Sequence, residues 1–297
     1  MVSLKRLVKT VSVCMVLLCV ISSVAFADEQ PYGPGMGIVI GQEQAAAGEA
    51  NTEAETLGFD PNTYGPGMPM VNNGTGAAAA QTGNSNIVMS NGREIDLTKP
   101  MIALTYDDGP QTTSGNRILD VFAKYGQRAT FFLVGDRIAS RADEVRRMVA
   151  EGHEIANHTY SHKYLTKYGA ETIRSEVSKC NEAIKAITGS YPSVMRLPGG
   201  SKNSTVVANI GMPIILWNID TRDWEHRNAQ KTVSAILGKV KDGDIVLMHE
   251  LYGATADATE IVVPELINQG FQLVTISEMA QFKGIQLGAN QIYYSLR

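Results

Sequence analysis

The sequence predicts an α/β fold, a distorted β/α barrel, complete or incomplete, of about seven parallel strands. Short apolar runs alternate with helical patterns over roughly 180 residues, which is typical of a parallel sheet wrapped by helices. Polar side chains suited to chemistry follow many of these runs, as they do at the carboxyl ends of barrel strands. A doubly wound open sheet is the alternative fold that the same pattern allows.

Seven apolar runs account for the predicted strands. In chain order they are MIALT, TFFLV, EIAN, SVMR, PIILWNI, DIVLM and FQLVT, which begin at Met101, Thr130, Glu154, Ser193, Pro213, Asp244 and Phe271. Their length and their content of Val, Ile, Phe and Leu favour strands over helices.

Apolar residues at helical spacing fill the intervals between the strands. Ile118 and Phe122 lie on the first such helix, which Gly126 ends. Cys180 continues an apolar stripe on a later helix that stops at Gly189, so we interpret this cysteine as a core residue and not as a nucleophile. Further helical patterns lie around Val145, Val233 and Val262.

Residues 1–27 have the features of an export signal. A basic start is followed by an apolar run, Val11 to Val24, and by the small-x-small sequence Ala25-Phe26-Ala27. The apolar run is shorter than the ~20 residues that a spanning helix needs, which favours a cleaved signal peptide over a retained membrane anchor. Cleavage would leave Cys180 as the only cysteine, which excludes a disulfide framework within the chain.

Residues 28–96 are rich in Ala, Gly, Asn, Thr and Pro and show no periodic apolar face, so we expect a flexible low-complexity tether. The sequence YGPGM occurs there twice, at Tyr32–Met36 and Tyr64–Met68, and a short binding motif is the alternative interpretation of these copies. The predicted catalytic domain covers residues 97–283 and leaves a C-terminal tail at residues 284–297. The net charge of −4 argues against a nucleic-acid partner.

Reactive side chains follow five of the predicted strands. They are Asp107 and Asp108, His158 and His162, Arg196, Asp220 and Asp223, and His249. Because the carboxyl ends of parallel strands share one rim, we expect these residues to converge although they are far apart in sequence. Alone, a histidine pair four residues apart more often lies on the surface without a function, and Asp-Asp-Gly-Pro is often only a turn. Their joint occurrence at strand ends indicates an active site.

Two histidines and one carboxylate form a ligand set for a divalent metal with open positions for water and substrate. The HTYSH sequence supplies the two imidazoles, His158 and His162. One acid of the Asp107–Asp108 pair can bind the metal while the other remains free as a base. A bound cation would also relieve the repulsion between the two carboxylates.

Five motifs in this order, TYDDGP, HTYSH, RLPGG, DTRDW and LMH, resemble those of the polysaccharide deacetylase family, which is carbohydrate esterase family 4. The resemblance covers roughly residues 97–283. It implies that Asp107 is the general base and that Asp108, His158 and His162 bind the metal. The metal would be zinc, with cobalt or another divalent ion as alternatives.

The resemblance also implies roles for six further residues. Arg196 would hold Asp107 charged and oriented, and Asp223 would raise the pKa of His249 so that it can protonate the leaving amine. Leu247 and Trp224 would wall the pocket for the acetyl methyl group. Gly199 stands where the family commonly has tyrosine; its backbone N–H would still stabilise the oxyanion, but the contribution of a ring to the groove is lost.

These implications lead us to expect a secreted or cell-wall-associated, metal-dependent hydrolase. It would remove N-acetyl groups from a polymer that contains N-acetylglucosamine, first of all peptidoglycan. Chitin oligomers and acetylated xylan are alternative substrates, and a non-catalytic glycan-binding protein is the alternative class. We expect a monomer whose partner is the polysaccharide, without nucleic acid and without stable membrane insertion after signal cleavage.

Overall fold

A parallel sheet wrapped by helices dominates the computed structural model, which describes residues 86–297. The predicted signal peptide, both YGPGM copies and most of the predicted tether lie outside the described residues. The strands are β1 Ile87–Ser90, β2 Arg93–Asp96, β3 Met101–Gly109, β4 Thr130–Leu133, β5 Glu154–Asn157, β6 Ile214–Ile215, β7 Ile219–Asp220, β8 Ile245–His249, β9 Gln272–Leu273 and β10 Ile292–Tyr293. The α-helices are α1 Thr112–Tyr125, α2 Gly135–Ile138, α3 Ala142–Ala150, α4 Ala170–Thr188, α5 Ser204–Ala208, α6 Asp223–His226, α7 Ala229–Ile236, α8 Gly253–Asn268 and α9 Ile276–Phe282.

The central sheet has the strand order β5-β4-β3-β8-β7, and all of these neighbours are parallel. Single-residue bridges carry the pairing on from Asn157 through Met195 to Ile214 in β6, which pairs with β10. A bridge between Ser295 and Asp244 then joins the end of β10 to the start of β8. These links close the sheet irregularly, which confirms the predicted α/β fold and its distorted barrel.

Three predicted strands are much shorter than expected, and one of them, the FQLVT run, forms only the two-residue β9. The SVMR run pairs only through Met195, and the PIILWNI run divides into β6 and β7. The side chain of Arg196 explains part of the difference, because its guanidinium donates hydrogen bonds to the carbonyl groups of Ile215 and Leu216. Those carbonyls are therefore not available to extend a regular strand pairing.

Folded structure extends beyond both boundaries that the sequence suggested for the catalytic domain. Residues 86–96, which we placed in the tether, include the β1–β2 hairpin, and Ile95 of this hairpin is buried in the core. Arg93 forms an ion pair with Glu278 of α9. The predicted tail at residues 284–297 includes β10, and Leu296 is buried as well. Burial of these apolar residues offsets the entropy of ordering both segments.

One part of the core lies between the sheet and the surrounding helices, and a second part is formed by the alternate strand residues on the other face of the sheet. β3 is buried along most of its length, as expected for a parallel strand covered on both faces. Gly126 ends α1 in the left-handed conformation that glycine adopts without strain. Cys180 on α4 is fully buried, and burial raises the pKa of its thiol to about 12, in agreement with a core role. This framework fixes the positions of the strand ends that carry the candidate site.

Candidate active site

Asp107 and Asp108 end β3, and both carboxylates face the same histidine. In a regular strand, adjacent side chains point to opposite faces. Here the pairing of β3 with β4 shifts register between Asp107 and Gly109, and Asp108 has a φ of 71°. This bulge removes the alternation. As a result, Asp107 Oδ2 lies 3.7 Å and Asp108 Oδ1 lies 3.4 Å from His158 Nε2.

The candidate metal ligands Asp108, His158 and His162 come together as the sequence predicted. Each offers one ligand atom, and these atoms lie within 4.8 Å of one another. His162 Nε2 is 3.0 Å from Asp108 Oδ1, and its side chain is about one-third exposed, so solvent reaches this side of the cluster. Two imidazoles and a carboxylate with an open side form a ligand set for a divalent cation.

The hydrogen bonds around this cluster fit a metal. His158 Nδ1 lies 2.8 Å from the carbonyl oxygen of Arg196, which can only accept, so Nδ1 carries the proton. In the neutral ring, Nε2 then presents its lone pair to Asp108. Asp108 Oδ1 is buried and has no hydrogen-bond donor among residues 86–297. A buried oxygen without a donor beside an imidazole lone pair suits a cation such as zinc or cobalt.

The charge state of Asp108 also suits a ligand. Burial alone would raise the pKa of its carboxyl, but hydrogen bonds and positive charge from His158 and His162, when these rings carry protons on Nε2, lower this pKa to well below its usual range. A cation bound between the three side chains would take the place of those protons and act in the same direction. The Arg137 guanidinium donates a hydrogen bond to the backbone carbonyl of Asp108 and fixes the bulge. The carboxylate is therefore ionised at neutral pH, as a metal ligand must be.

Arg196 orients Asp107 from inside the barrel. Its side chain is fully buried, and Nη1 donates to Asp107 Oδ1 at 2.7 Å and to Thr105 Oγ1 at 2.8 Å. The guanidinium also stacks 4.0 Å from the centroid of the Phe132 ring. Because Oδ1 of Asp107 is engaged by this arginine, Oδ2 is the oxygen left to accept a proton on the side of His158.

Asp223 and His249 form a second charged pair. Asp223 Oδ1 lies 2.8 Å from His249 Nδ1, and Asp223 Oδ2 accepts hydrogen bonds from the His249 backbone N–H and the Thr255 hydroxyl. Burial would lower the pKa of His249, but the hydrogen bond to Asp223 and the charges of Asp107 and Asp108 raise it above its ordinary value. His249 can therefore carry a proton near neutral pH.

Four further residues that the sequence predicted at the rim are Leu247, Trp224, Gly199 and Asp220. Leu247 is buried in β8, two residues before His249, and Trp224 in α6 is about half exposed. Gly199 has a φ of 60°, which favours glycine at this position. Asp220 does not join the cluster; it is exposed, and its carboxylate accepts a hydrogen bond from the Arg222 backbone N–H. The roles of Leu247, Trp224 and Gly199 remain predictions.

Three residues that support the site were not predicted from the sequence. Thr105 accepts a hydrogen bond from Arg196, Thr255 donates to Asp223, and Glu250 lies buried behind the Asp-Asp bulge. Thr105 could have been predicted, because it is a polar residue in an apolar strand and its side chain points in the same direction as that of Asp107. Thr255 and Glu250 could not have been predicted, because neither interrupts a recognisable pattern in the sequence.

Glu250 is fully buried immediately after His249. Its Oε1 accepts a hydrogen bond from the Gln111 backbone N–H at 2.7 Å, and its Oε2 has no partner among the described residues. A Cβ added at Gly109 would lie only 1.8 Å from Oε2, so the carboxyl fits against bare backbone. Burial raises the pKa of Glu250 to about 8. This carboxyl is therefore mostly protonated at neutral pH.

We expect Glu250→Gln to stabilise the protein increasingly as pH rises from about 5 to 8. The folded state keeps a proton that the unfolded chain releases above a pKa of 4.5, so wild-type stability falls across this window, whereas glutamine does not titrate. The difference in unfolding free energy should grow by roughly 3 kcal/mol. Urea unfolding at pH 5 and pH 8 measures it. A difference that does not change with pH would show that Glu250 is charged in the folded protein.

Comparison with known proteins places the chain in a family. The model of the polysaccharide deacetylase domain matches residues 94–214. The peptidoglycan-N-acetylmuramic acid deacetylase PdaC of Bacillus subtilis is 35% identical over 189 residues, which cover 64% of this chain and 40% of that protein. The peptidoglycan-N-acetylglucosamine deacetylase PgdA of Listeria monocytogenes is 37% identical over 191 residues, which cover 64% and 41% respectively. The chain thus spans less than half the length of these two relatives.

Solved structures show the same relationship over nearly complete domains. A T48 deacetylase with substrate is 36% identical, with a TM-score of 0.64, over 67% of this chain and 99% of that one. A family 4 acetyl xylan esterase from Clostridium thermocellum in complex with a cobalt ion is 32% identical, with a TM-score of 0.64, over 66% and 98%. The fold and these comparisons are those of carbohydrate esterase family 4. The chain belongs to the polysaccharide deacetylase family.

Proposed function

We propose that this protein is a metal-dependent amide hydrolase that removes N-acetyl groups from polysaccharide containing N-acetylglucosamine, with peptidoglycan as the principal substrate. One observation carries the proposal: Asp108, His158 and His162 converge, with Asp107 beside them, in the fold that also holds the His249–Asp223 pair. A ligand set, a base and an acid are the parts that amide hydrolysis needs. The activities for which PdaC and PgdA are named support peptidoglycan as the polymer.

In this proposal, Asp107 and His249 divide the proton transfers. Asp107 Oδ2 accepts a proton from the attacking water while Arg196 holds Oδ1. His249 keeps its Nδ1 hydrogen bond to Asp223 and donates a proton from Nε2 to the leaving amine. An amine leaves poorly without a proton, so the raised pKa of His249 matters for amides more than for esters.

Asp108, His158 and His162 would hold the metal, zinc first and cobalt or another divalent ion as alternatives. When bound, the metal supplies Lewis acidity toward the substrate carbonyl and makes water a better nucleophile. The backbone N–H of Gly199 would add an oxyanion donor. Leu247 and Trp224 would border the acetyl methyl group.

The proposed protein works outside the cytoplasm, in the cell wall or secreted, as a monomer that binds polysaccharide. The signal that would export it lies at residues 1–27. Among residues 86–297, no helix has the length and apolar character needed to cross a membrane. The names of the peptidoglycan deacetylase relatives support a wall-facing location.

We expect acetate release from peptidoglycan and from N-acetylglucosamine oligomers, with peptidoglycan preferred and acetylxylan slower. A chelator should abolish release, and added zinc or cobalt should restore it, because the reaction needs the cation. The three substrates are compared at one metal concentration, with His158→Ala as the inactive control. Acetate release that a chelator does not change would contradict the proposed metal dependence. Glycan binding without acetate would instead support a binding protein.

A further inference from the structure

Tyr164 lies at the edge of the candidate metal site, two residues after the ligand His162. Its ring centroid is 6.3 Å from that of His162, and the two rings are close to perpendicular. Nearly half of Tyr164 is exposed, although the next residue, Leu165, is fully buried. The aromatic ring therefore stands at the surface beside a ligand and is anchored by the core directly behind it.

The ring of Tyr164 also borders Gly199. A Cβ added at Gly199 would lie 2.6 Å from Tyr164 Cε1 and 3.2 Å from its hydroxyl oxygen. Tyr164 thus occupies the space into which a side chain at position 199 would extend. One edge of the Tyr164 ring faces Gly199, which would donate to the oxyanion, and the ring also lies beside His162, which would bind the metal. The ring lies between these two parts of the site.

The loop that carries Tyr164 is held in place. The Lys167 backbone N–H donates to the Tyr164 carbonyl at 3.2 Å, and the Thr166 and Ser201 hydroxyl groups are hydrogen-bonded at 3.0 Å. The second bond ties this loop to the loop that follows Gly199. Exposed aromatic rings on a fixed support lose little entropy when they bind a ligand. This arrangement favours a binding surface over a ring exposed by chance.

We infer that Tyr164 is a specificity-determining residue whose ring stacks on the pyranose ring of the sugar that carries the acetyl group. The inference rests on the proposed function. Pyranose rings present C–H groups that pack on aromatic faces, while the tyrosine hydroxyl can bond to sugar hydroxyls. The position between His162 and Gly199 places this platform next to the acetyl group when its carbonyl reaches the metal site.

The test compares Tyr164→Ala, Tyr164→Phe and the control Tyr168→Ala. Tyr168 is a similarly exposed tyrosine on the same loop. Each ring has one lysine near it, with Lys163 Nζ 5.6 Å from the Tyr168 centroid and Lys167 Nζ 5.8 Å from the Tyr164 centroid, which leaves the opposite face of Tyr164 for the sugar. On N-acetylglucosamine oligomers, Tyr164→Ala should raise KM roughly tenfold with a small change in kcat. Tyr164→Phe should recover most of this loss because it keeps the ring. Tyr168→Ala should behave as wild type.

Two further measurements separate sugar stacking from a general disturbance of the site. On 4-nitrophenyl acetate, which has no sugar ring, Tyr164→Ala should lose much less than on oligomers; an equal loss on both would show a disturbed site and overturn the inference. Equilibrium binding of the oligomer is measured in parallel. If wild type releases no acetate from oligomers, the proposed function fails, but weaker binding by Tyr164→Ala than by Tyr168→Ala still supports stacking, and equal binding refutes it.

Discussion

Replacing His158 with alanine is expected to remove the bound metal, whereas replacing Asp107 with asparagine is expected to keep the metal and remove most turnover. His158 Nε2 faces Asp108, and its Nδ1 is fixed by a backbone carbonyl, so alanine deletes an oriented ligand. Metal affinity should fall by more than about 100-fold. Asp107→Asn removes the proton acceptor, and kcat should fall roughly 10²- to 10⁴-fold.

The geometry makes this test demanding, because Asp107 and Asp108 lie at similar distances from His158. Two observations favour Asp108 as the ligand. Its Oδ1 is near both imidazoles, at 3.4 and 3.0 Å, whereas one oxygen of Asp107 is engaged by Arg196. Asparagine at 107 can still accept the hydrogen bond from Arg196, so the variant should keep its fold.

Metal content per chain after dialysis and acetate release are measured on the same preparations. Asp108→Asn serves as the matched control, because it makes the same chemical change one residue away and should lose metal as His158→Ala does. Equal metal loss in the Asp107 and Asp108 variants would refute the division of labour. Full metal content in His158→Ala would show that His158 is not a metal ligand.

The sequence was sufficient to predict the strand ends and much of what gathers there. Asp108, His158 and His162 were predictable because parallel strands place their carboxyl ends on one rim, whatever the distance along the chain. The pattern could not show that a bulge at Asp108 turns two adjacent carboxylates to one histidine. That feature depends on a local departure from strand geometry that many sequences can adopt.

The predicted strand and the predicted domain boundary that differ from the structure do so for the same reason, which is contact between residues that are distant in sequence. The run from Pro213 to Ile219 has the composition of one strand, but Arg196 binds two of its carbonyls and divides it. Likewise, the hairpin that contains Ile95 has the polar flanks of a linker and is ordered by burial against another part of the chain. Local patterns indicate what a segment prefers, and tertiary partners decide what it forms.

Arg196→Met is expected to destabilise the protein by about 3–5 kcal/mol, the cost typical of breaking a buried ion pair. Methionine is long enough to fill much of the space beside Phe132. It leaves the Asp107 carboxylate buried without its cation, and it leaves the carbonyls of Ile215 and Leu216 without the donors that the guanidinium provides. Urea unfolding at pH 7 measures the loss.

Arg117→Met is the matched control. Arg117 also pairs with acids, Asp257 and Glu260, but all three side chains are well exposed. Water screens such pairs, so their removal should cost less than about 1 kcal/mol. The comparison therefore contrasts a buried arginine, with its ion pair and carbonyl hydrogen bonds, with an exposed ion-paired one, since both variants introduce the same residue.

The double variant Asp107→Asn, Arg196→Met separates the charge from the lost hydrogen bonds. Asparagine needs no counterion, so the double variant should be more stable than Arg196→Met alone by a margin beyond additivity. Recovery should be partial, because the carbonyls of Ile215 and Leu216 remain without their donors. Simple additivity of the two single variants would mean that Arg196 stabilises the barrel through those carbonyls, and that its charge adds nothing through the pair with Asp107.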